Sequence, residues 1–164
     1  MFGFLKRRKI EREARRRIGI ELHRQIKEAF DLNERQTSAR LQTSFVPGYI
    51  YYFVYTGFST ITGIPGERAT DKHLRWICDG VLPNKLYEIF NRQLAKIEIA
   101  KGMAEQNRKI RGTQISPFEM IRLFEIGGEA GFSDSDCFIP LAGRKANNLK
   151  RYLLGELDDK PFIK

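Results

Sequence analysis

A chain of 164 residues is the length of one ordinary domain, and a domain of that size buries roughly 70% of the surface its unfolded form exposes, so it needs no disulfide or metal staple. With 41% hydrophobic and 30% charged residues, disordered, collagenous and disulfide-scaffold classes are excluded. The formal net charge is +9, which points toward an anionic partner, and six of the nine charges sit in the first seventeen residues.

Those residues read as a basic amphipathic arm, residues 1–17, preceding a helical domain over 18–164. Lys6, Arg7, Arg8, Lys9, Arg12, Arg15, Arg16 and Arg17 stand against Glu11 and Glu13, while Phe2, Phe4, Leu5 and Ile10 lie among them. Met1 to Leu5 is too short for the apolar core of a secretory signal, and the acids disfavour an organelle presequence. Apolar side chains beside clustered cations resemble an interfacial anchor, in which the former enter the headgroup boundary and the latter meet acidic lipid.

From Lys9 to Phe30, Ile10, Ala14, Ile18, Leu22, Ile26 and Phe30 recur every four residues, which predicts a helix whose C-terminal half packs and whose N-terminal half is mostly arginine. Asp31 to Ser44 shows no period and reads as a polar connection. Leu41 to Gly66 carries no charge, yet Thr, Ser, Gly and four Tyr dilute it, so a buried core helix from about Pro47 to Thr62 is favoured over a membrane span. Gly63 followed by Pro65 supplies its stop. Thr70 opens a shorter helix through Trp76 and Cys78, both read as core, that ends at Gly80.

Asn84 is expected to cap the longest core helix, with Leu86, Phe90, Leu94, Ile97 and Ala104 inward, a Glu88/Arg92 pair outward, and Gly112 closing it. Ser116-Pro117-Phe118-Glu119 is a capping box with proline at the first helical position, and Ile115 is placed to staple onto Met120. A last helix from about Gly143 to Leu157 puts Ala146, Leu149 and Leu153 inward. The predicted fold class is therefore all-α: a single helical-bundle-like domain of five to six helices with the basic helical arm at its N-terminus.

No catalytic signature emerges. Cys78, Cys137, His23 and His73 lack the spacing of a zinc motif, so no metal and no cofactor are expected, and the cysteine usage fits a reduced, cytoplasmic setting. Asp134 and Asp136 lack the glycine and terminal glutamate of a calcium loop. Tyr49, Tyr52 and Tyr55 suggest a tyrosine-lined ligand cavity as one alternative.

Ala130-Gly131-Phe132-Ser133-Asp134, followed by Phe138 and Arg144-Lys145, resembles the second helix-turn-helix of arabinose-operon-type transcription regulators over residues 130–151. The resemblance implies a turn at Gly-Phe-Ser and a recognition helix anchored by the aromatic, although Pro140 interrupts that helix. Arg144, Asn147, Asn148 and Arg151 share a face opposite Ala146 and Leu149, and arginine and asparagine are the residue types that read guanine and adenine edges. Nucleic acid is thus one candidate partner. The reading favoured by the charge distribution is a non-enzymatic interaction or adaptor module, peripheral to an anionic membrane surface or an acidic protein through Phe2, Phe4, Leu5 and the eight cations of the arm.

Overall fold

A computed structural model describes residues 2–65, 71–81, 85–105, 116–140 and 142–157, with the side chains of residues 2–4, 71, 72 and 105 excepted. The expected all-α fold is what it shows: α1 (Phe2–Arg40), α2 (Phe45–Thr62), α3 (Asp71–Asp79), α4 (Leu86–Glu105), α5 (Pro117–Asp134) with a 3-10 turn at Ser135–Phe138, and α6 (Asn148–Leu153). No strand occurs among the described residues.

The four-residue stripe of α1 does pack. Ala14, Ile18, Leu22, Ile26 and Ala29 are fully buried, while Ile10, one turn earlier, is 36% exposed. Two expectations about this stretch are corrected. Residues 34–40 are helical rather than a polar connection, because the helix breaks only at Asn33 (φ −156°, ψ 85°) and restarts. The Asn33 side chain caps the restart by accepting from the Gln36 amide at 3.1 Å. The break resets the helical phase, so Thr37 and Leu41 are buried on a register that the upstream stripe does not predict. At 39 residues α1, rather than α4, is the longest helix described.

α2 is helical despite its strand-favouring Tyr-Ile-Tyr-Tyr-Phe-Val-Tyr run, and the reason is its pairing with α5. Gly48 lies on the Phe124 carbonyl, Gly127 on the Phe45 carbonyl and Gly131 on the Tyr49 carbonyl, each so close that a Cβ would overlap backbone. Three side-chain-free sites let the two helix backbones touch. Gly63, at φ 68°, ends α2 in the left-handed conformation that glycine adopts without strain, and its N–H bonds the Ser59 carbonyl at 2.8 Å.

A buried polar cluster then ties four segments together. Gln25 Nε2 donates to the Tyr49 hydroxyl at 2.9 Å, and that hydroxyl donates to Asp134 Oδ2 at 2.7 Å. The same carboxylate oxygen accepts the amides of Asn147 and Asn148 at 2.9 and 2.8 Å. This routing corrects the last helix. Gly143 turns at φ 60° and residues 142–147 run as irregular backbone toward Asp134, so α6 starts only at Asn148 and ends at Leu153, where helix was expected from 143 to 157. Its inward residues are the expected ones: Ala146, Leu149 and Leu153 are fully buried.

Ser116 Oγ accepts from the Glu119 amide at 3.2 Å, as the capping box requires. Ile115, Asn84, Thr70 and the Gly112 stop lie outside the described residues. Leu86, Phe90 and Ile97 of α4 face inward as read, but Arg92 bonds Gln42 across the molecule rather than Glu88.

Candidate anion-binding surface

α1 presents two faces. Opposite its buried stripe, Leu5, Lys9, Arg12, Arg16, His23 and Lys27 follow one another at intervals of three, four or seven residues, one or two turns, and therefore share one side of the helix. At 1.5 Å rise per residue this row is about 33 Å long. Glu13, at its margin, is held by Arg16 at 2.8 Å, and the hydrogen bond from that guanidinium lowers the carboxyl below its ordinary value.

Residues 2–17 are not set apart in backbone. α1 continues through them without a break, and Ala14 is already fully buried. Leu5 is 62% exposed, and Lys6, Arg7, Arg8, Lys9, Arg12, Arg16 and Arg17 are exposed. Arg7 pairs with Glu11 at 3.0 Å, and the Arg17 guanidinium sits 5.8 Å from the Phe138 ring centroid. The side chains of Phe2 and Phe4 lie outside the described set.

The basic face gains a second wall from α3. Trp76, read from sequence as core, is 61% exposed, while its neighbours Ile77 and Cys78 are buried. The nine-residue α3 has one buried edge, occupied by Leu74, Ile77 and Cys78, and Trp76 falls outside it. The Arg15 guanidinium lies over the Trp76 ring, 4.7 Å from its centroid.

Between α1 and α3 runs a groove of about 820 Å³. Its cations are Arg12, Arg15, Arg16, Arg24 and Lys27, and no carboxylate lines it among the described residues. Three of them are neutralised from outside the groove: Arg16 by Glu13, Arg24 by Glu21 and Glu28, and Lys27 by Asp31. Hydrogen bonding to Glu21 is the largest influence raising the Arg24 pKa above its ordinary value, so this cation is permanent. Arg12 has no ion pair among the described residues. Arg15 Nε and His23 Nδ1 are buried without a hydrogen-bond partner. An unpaired buried donor is costly, so the groove is electrostatically unfinished.

The other sequence candidates fall elsewhere. The Gly131-Phe132-Ser133 segment, a turn in the helix-turn-helix resemblance, is continuous helix in α5, and among the described residues only the 3-10 turn at Ser135–Phe138 comes before α6 at Asn148. Arg144 is exposed and bonds Asp136 at 3.0 Å; the amides of Asn147 and Asn148 are committed to Asp134; Arg151 is exposed. The three tyrosines stand in different surroundings. Tyr49 is fully buried in the polar cluster, Tyr52 is 40% exposed with its ring over Gly128, and Tyr55 stacks on Tyr51.

The thiols are quiet. Burial pushes Cys78 and Cys137 up to about 12, so neither is an available nucleophile at neutral pH. Among the described residues no cluster of His, Cys, Asp and Glu could hold a metal ion, and no helix is long and apolar enough to cross a membrane.

No protein-family model, no curated protein and no solved structure matches the chain.

Proposed function

We propose that the protein is a helical interaction module that lies against an anionic membrane surface along the basic face of α1, with Trp76 of α3 in the same contact. The observation that carries this reading is the pairing of exposed Leu5, Ile20 and Trp76 with Lys9, Arg12 and Arg15 beside a groove that no carboxylate lines among the described residues. Peripheral membrane binding needs both parts: apolar side chains that enter the headgroup boundary, and cations that meet acidic lipid at about 1 kcal/mol each. Tryptophan is enriched at such interfaces. The arm identified in the sequence is one end of this surface, which extends along α1 to Lys27.

Sedimentation with vesicles tests it. The full chain pellets with phosphatidylserine vesicles, stays in solution with phosphatidylcholine, and releases as salt screens exposed charge beyond roughly 8–10 Å. Replacing Lys6, Lys9 and Arg12 together by Gln weakens binding on the order of a hundredfold. Leu5→Ser with Trp76→Ser weakens it at constant charge. Indifference to the charge substitutions, or tighter binding to an oligonucleotide than to acidic vesicles, defeats the membrane reading.

A further inference from the structure

We infer that the groove between α1 and α3 is a binding site for a phosphorylated amphiphile, its phosphoryl group held by Arg12 and Arg15 and its apolar portion laid along Gly19, Ile20 and Trp76. The inference rests on the anionic-surface reading and gives it a ligand class. Binding a diffuse charged surface needs only exposed cations, whereas this groove contains a built interior.

Arg12 and Arg15 are one helical turn apart and both line the groove, and guanidinium forks match the geometry of phosphate oxygens. They are also the two groove arginines not neutralised by a neighbouring carboxylate; Arg16 and Arg24 are already paired. Arg15 is held over the Trp76 ring with its Nε buried and unpartnered, a donor fixed in position with nothing to donate to. His23 Nδ1, buried and unpartnered farther along the groove, adds a polar group at its other end.

Between these ends the groove passes over a glycine. Gly19 lines it, and a Cβ built there would meet nothing closer than the Ile77 carbonyl oxygen at 3.7 Å. A Cβ therefore fits at this position, and the longer side chain of leucine takes up groove volume. Ile20, at 53% exposure, and Trp76 supply apolar surface beside the arginines. Phosphate next to hydrocarbon is the chemistry of an acidic lipid bearing a phosphomonoester headgroup. A water-soluble phosphorylated metabolite offers the phosphate without the hydrocarbon.

Trp76 is the chain's only tryptophan, so its fluorescence reports on the groove without a label. The full chain is titrated with short-chain phosphatidic acid below its micelle concentration, and with short-chain phosphatidylcholine and phosphatidylserine as controls. Phosphatidic acid is expected to change Trp76 emission saturably, at least tenfold more tightly than either control. Gly19→Leu abolishes the change while phosphatidylserine vesicles still pellet the protein. Arg12→Gln, an exposed substitution that does not touch the core, weakens the change at least tenfold. Inorganic phosphate that displaces the lipid at millimolar concentration assigns the site to the phosphoryl group itself, and phosphate that fails to displace it assigns the site to the lipid headgroup with its stem. Equal response to all three lipids, no response, or a response untouched by Gly19→Leu in a variant with native circular dichroism overturns the inference. Vesicle pelleting that persists in that case leaves the surface reading standing, and loss of pelleting with a retained fluorescence change leaves only the groove.

Discussion

The α2/α5 seam and the α1/α3 groove are both helix contacts organised around glycine, and they use it for opposite ends. At the seam, Gly48, Gly127 and Gly131 are pressed onto backbone of the facing helix, and the missing side chains are filled by the partner. At the groove, a Cβ built at Gly19 would meet the Ile77 carbonyl oxygen at 3.7 Å, an ordinary contact that forces nothing apart. The seam is buried, aromatic and formed by an uncharged helix. The groove is lined by five cations and an exposed tryptophan. A glycine in a helix weakens it by about 1 kcal/mol relative to alanine, and here that cost is offset by backbone contact in one place and by a vacant, charged channel in the other. Stability resides in the first region and recognition in the second.

The sharpest way to break this contrast is to add one methyl group to each region. Gly131→Ala or Gly48→Ala must force the α2 and α5 backbones apart, and we expect a loss of about 3 kcal/mol or more, at the upper end of what overpacking costs. The check is the midpoint of urea unfolding followed by circular dichroism. An unchanged midpoint would show that the close approach is dispensable.

Next in size is the polar cluster behind the seam. Asp134→Ala leaves the Tyr49 hydroxyl and two backbone amides without their acceptor, and a loss of about 2–3 kcal/mol is expected. Asp134→Asn keeps an acceptor oxygen and should lose less. Burial, the largest influence, raises the Asp134 carboxyl above its ordinary 3.8, so its contribution is full below about that pH and is lost as pH rises through the raised value. Glu28 runs the other way, because its hydrogen bonds from Lys150 and Arg24 lower its pKa and its contribution is lost as pH falls. Urea midpoints measured from pH 3 to 7 should therefore show the advantage of the native chain over Asp134→Asn shrinking as pH rises. An advantage that grows toward neutrality would contradict the direction of the shift.

Smaller still is the lid of the groove. Trp76→Ala removes an exposed ring and its cation–π contact with Arg15, worth about 0.5–1 kcal/mol at such sites. Thermal unfolding should barely register it, although vesicle binding falls. Comparable in size but opposite in sign is Gly19→Ala, where the Cβ fits and helix propensity gains up to about 1 kcal/mol. An increase in stability at Gly19 beside a large loss at Gly131 would sharpen the comparison most.

Much of this arrangement is legible in the residues. Ala14, Ile18, Leu22 and Ile26 mark the buried side of α1 because a four-residue repeat keeps them near one side of a helix. Ser116 and Glu119 mark the start of α5, and Gly63 the end of α2, because caps satisfy backbone groups within a single turn. The cations of the arm were equally visible, since clustered charge needs no fold to be seen. Arg15 was legible as a cation but not as one whose Nε is buried.

What local sequence determined about this protein is its helices, their inward edges and the placement of its charge, because these depend on interactions spanning a few residues. What the tertiary structure alone decided is which outward edges meet. Trp76 is a core residue by composition and a surface one in place, since α3 buries only its opposite edge. Asn33 restarts a helix across a stretch with no period. Residues 142–147 give up helix so that Asn147 and Asn148 can reach Asp134, more than ten residues away along the chain. The groove itself joins Arg12 and Arg15 to Trp76 across some sixty residues of sequence, and no local pattern encodes a distance that only the packing of α3 on α1 creates.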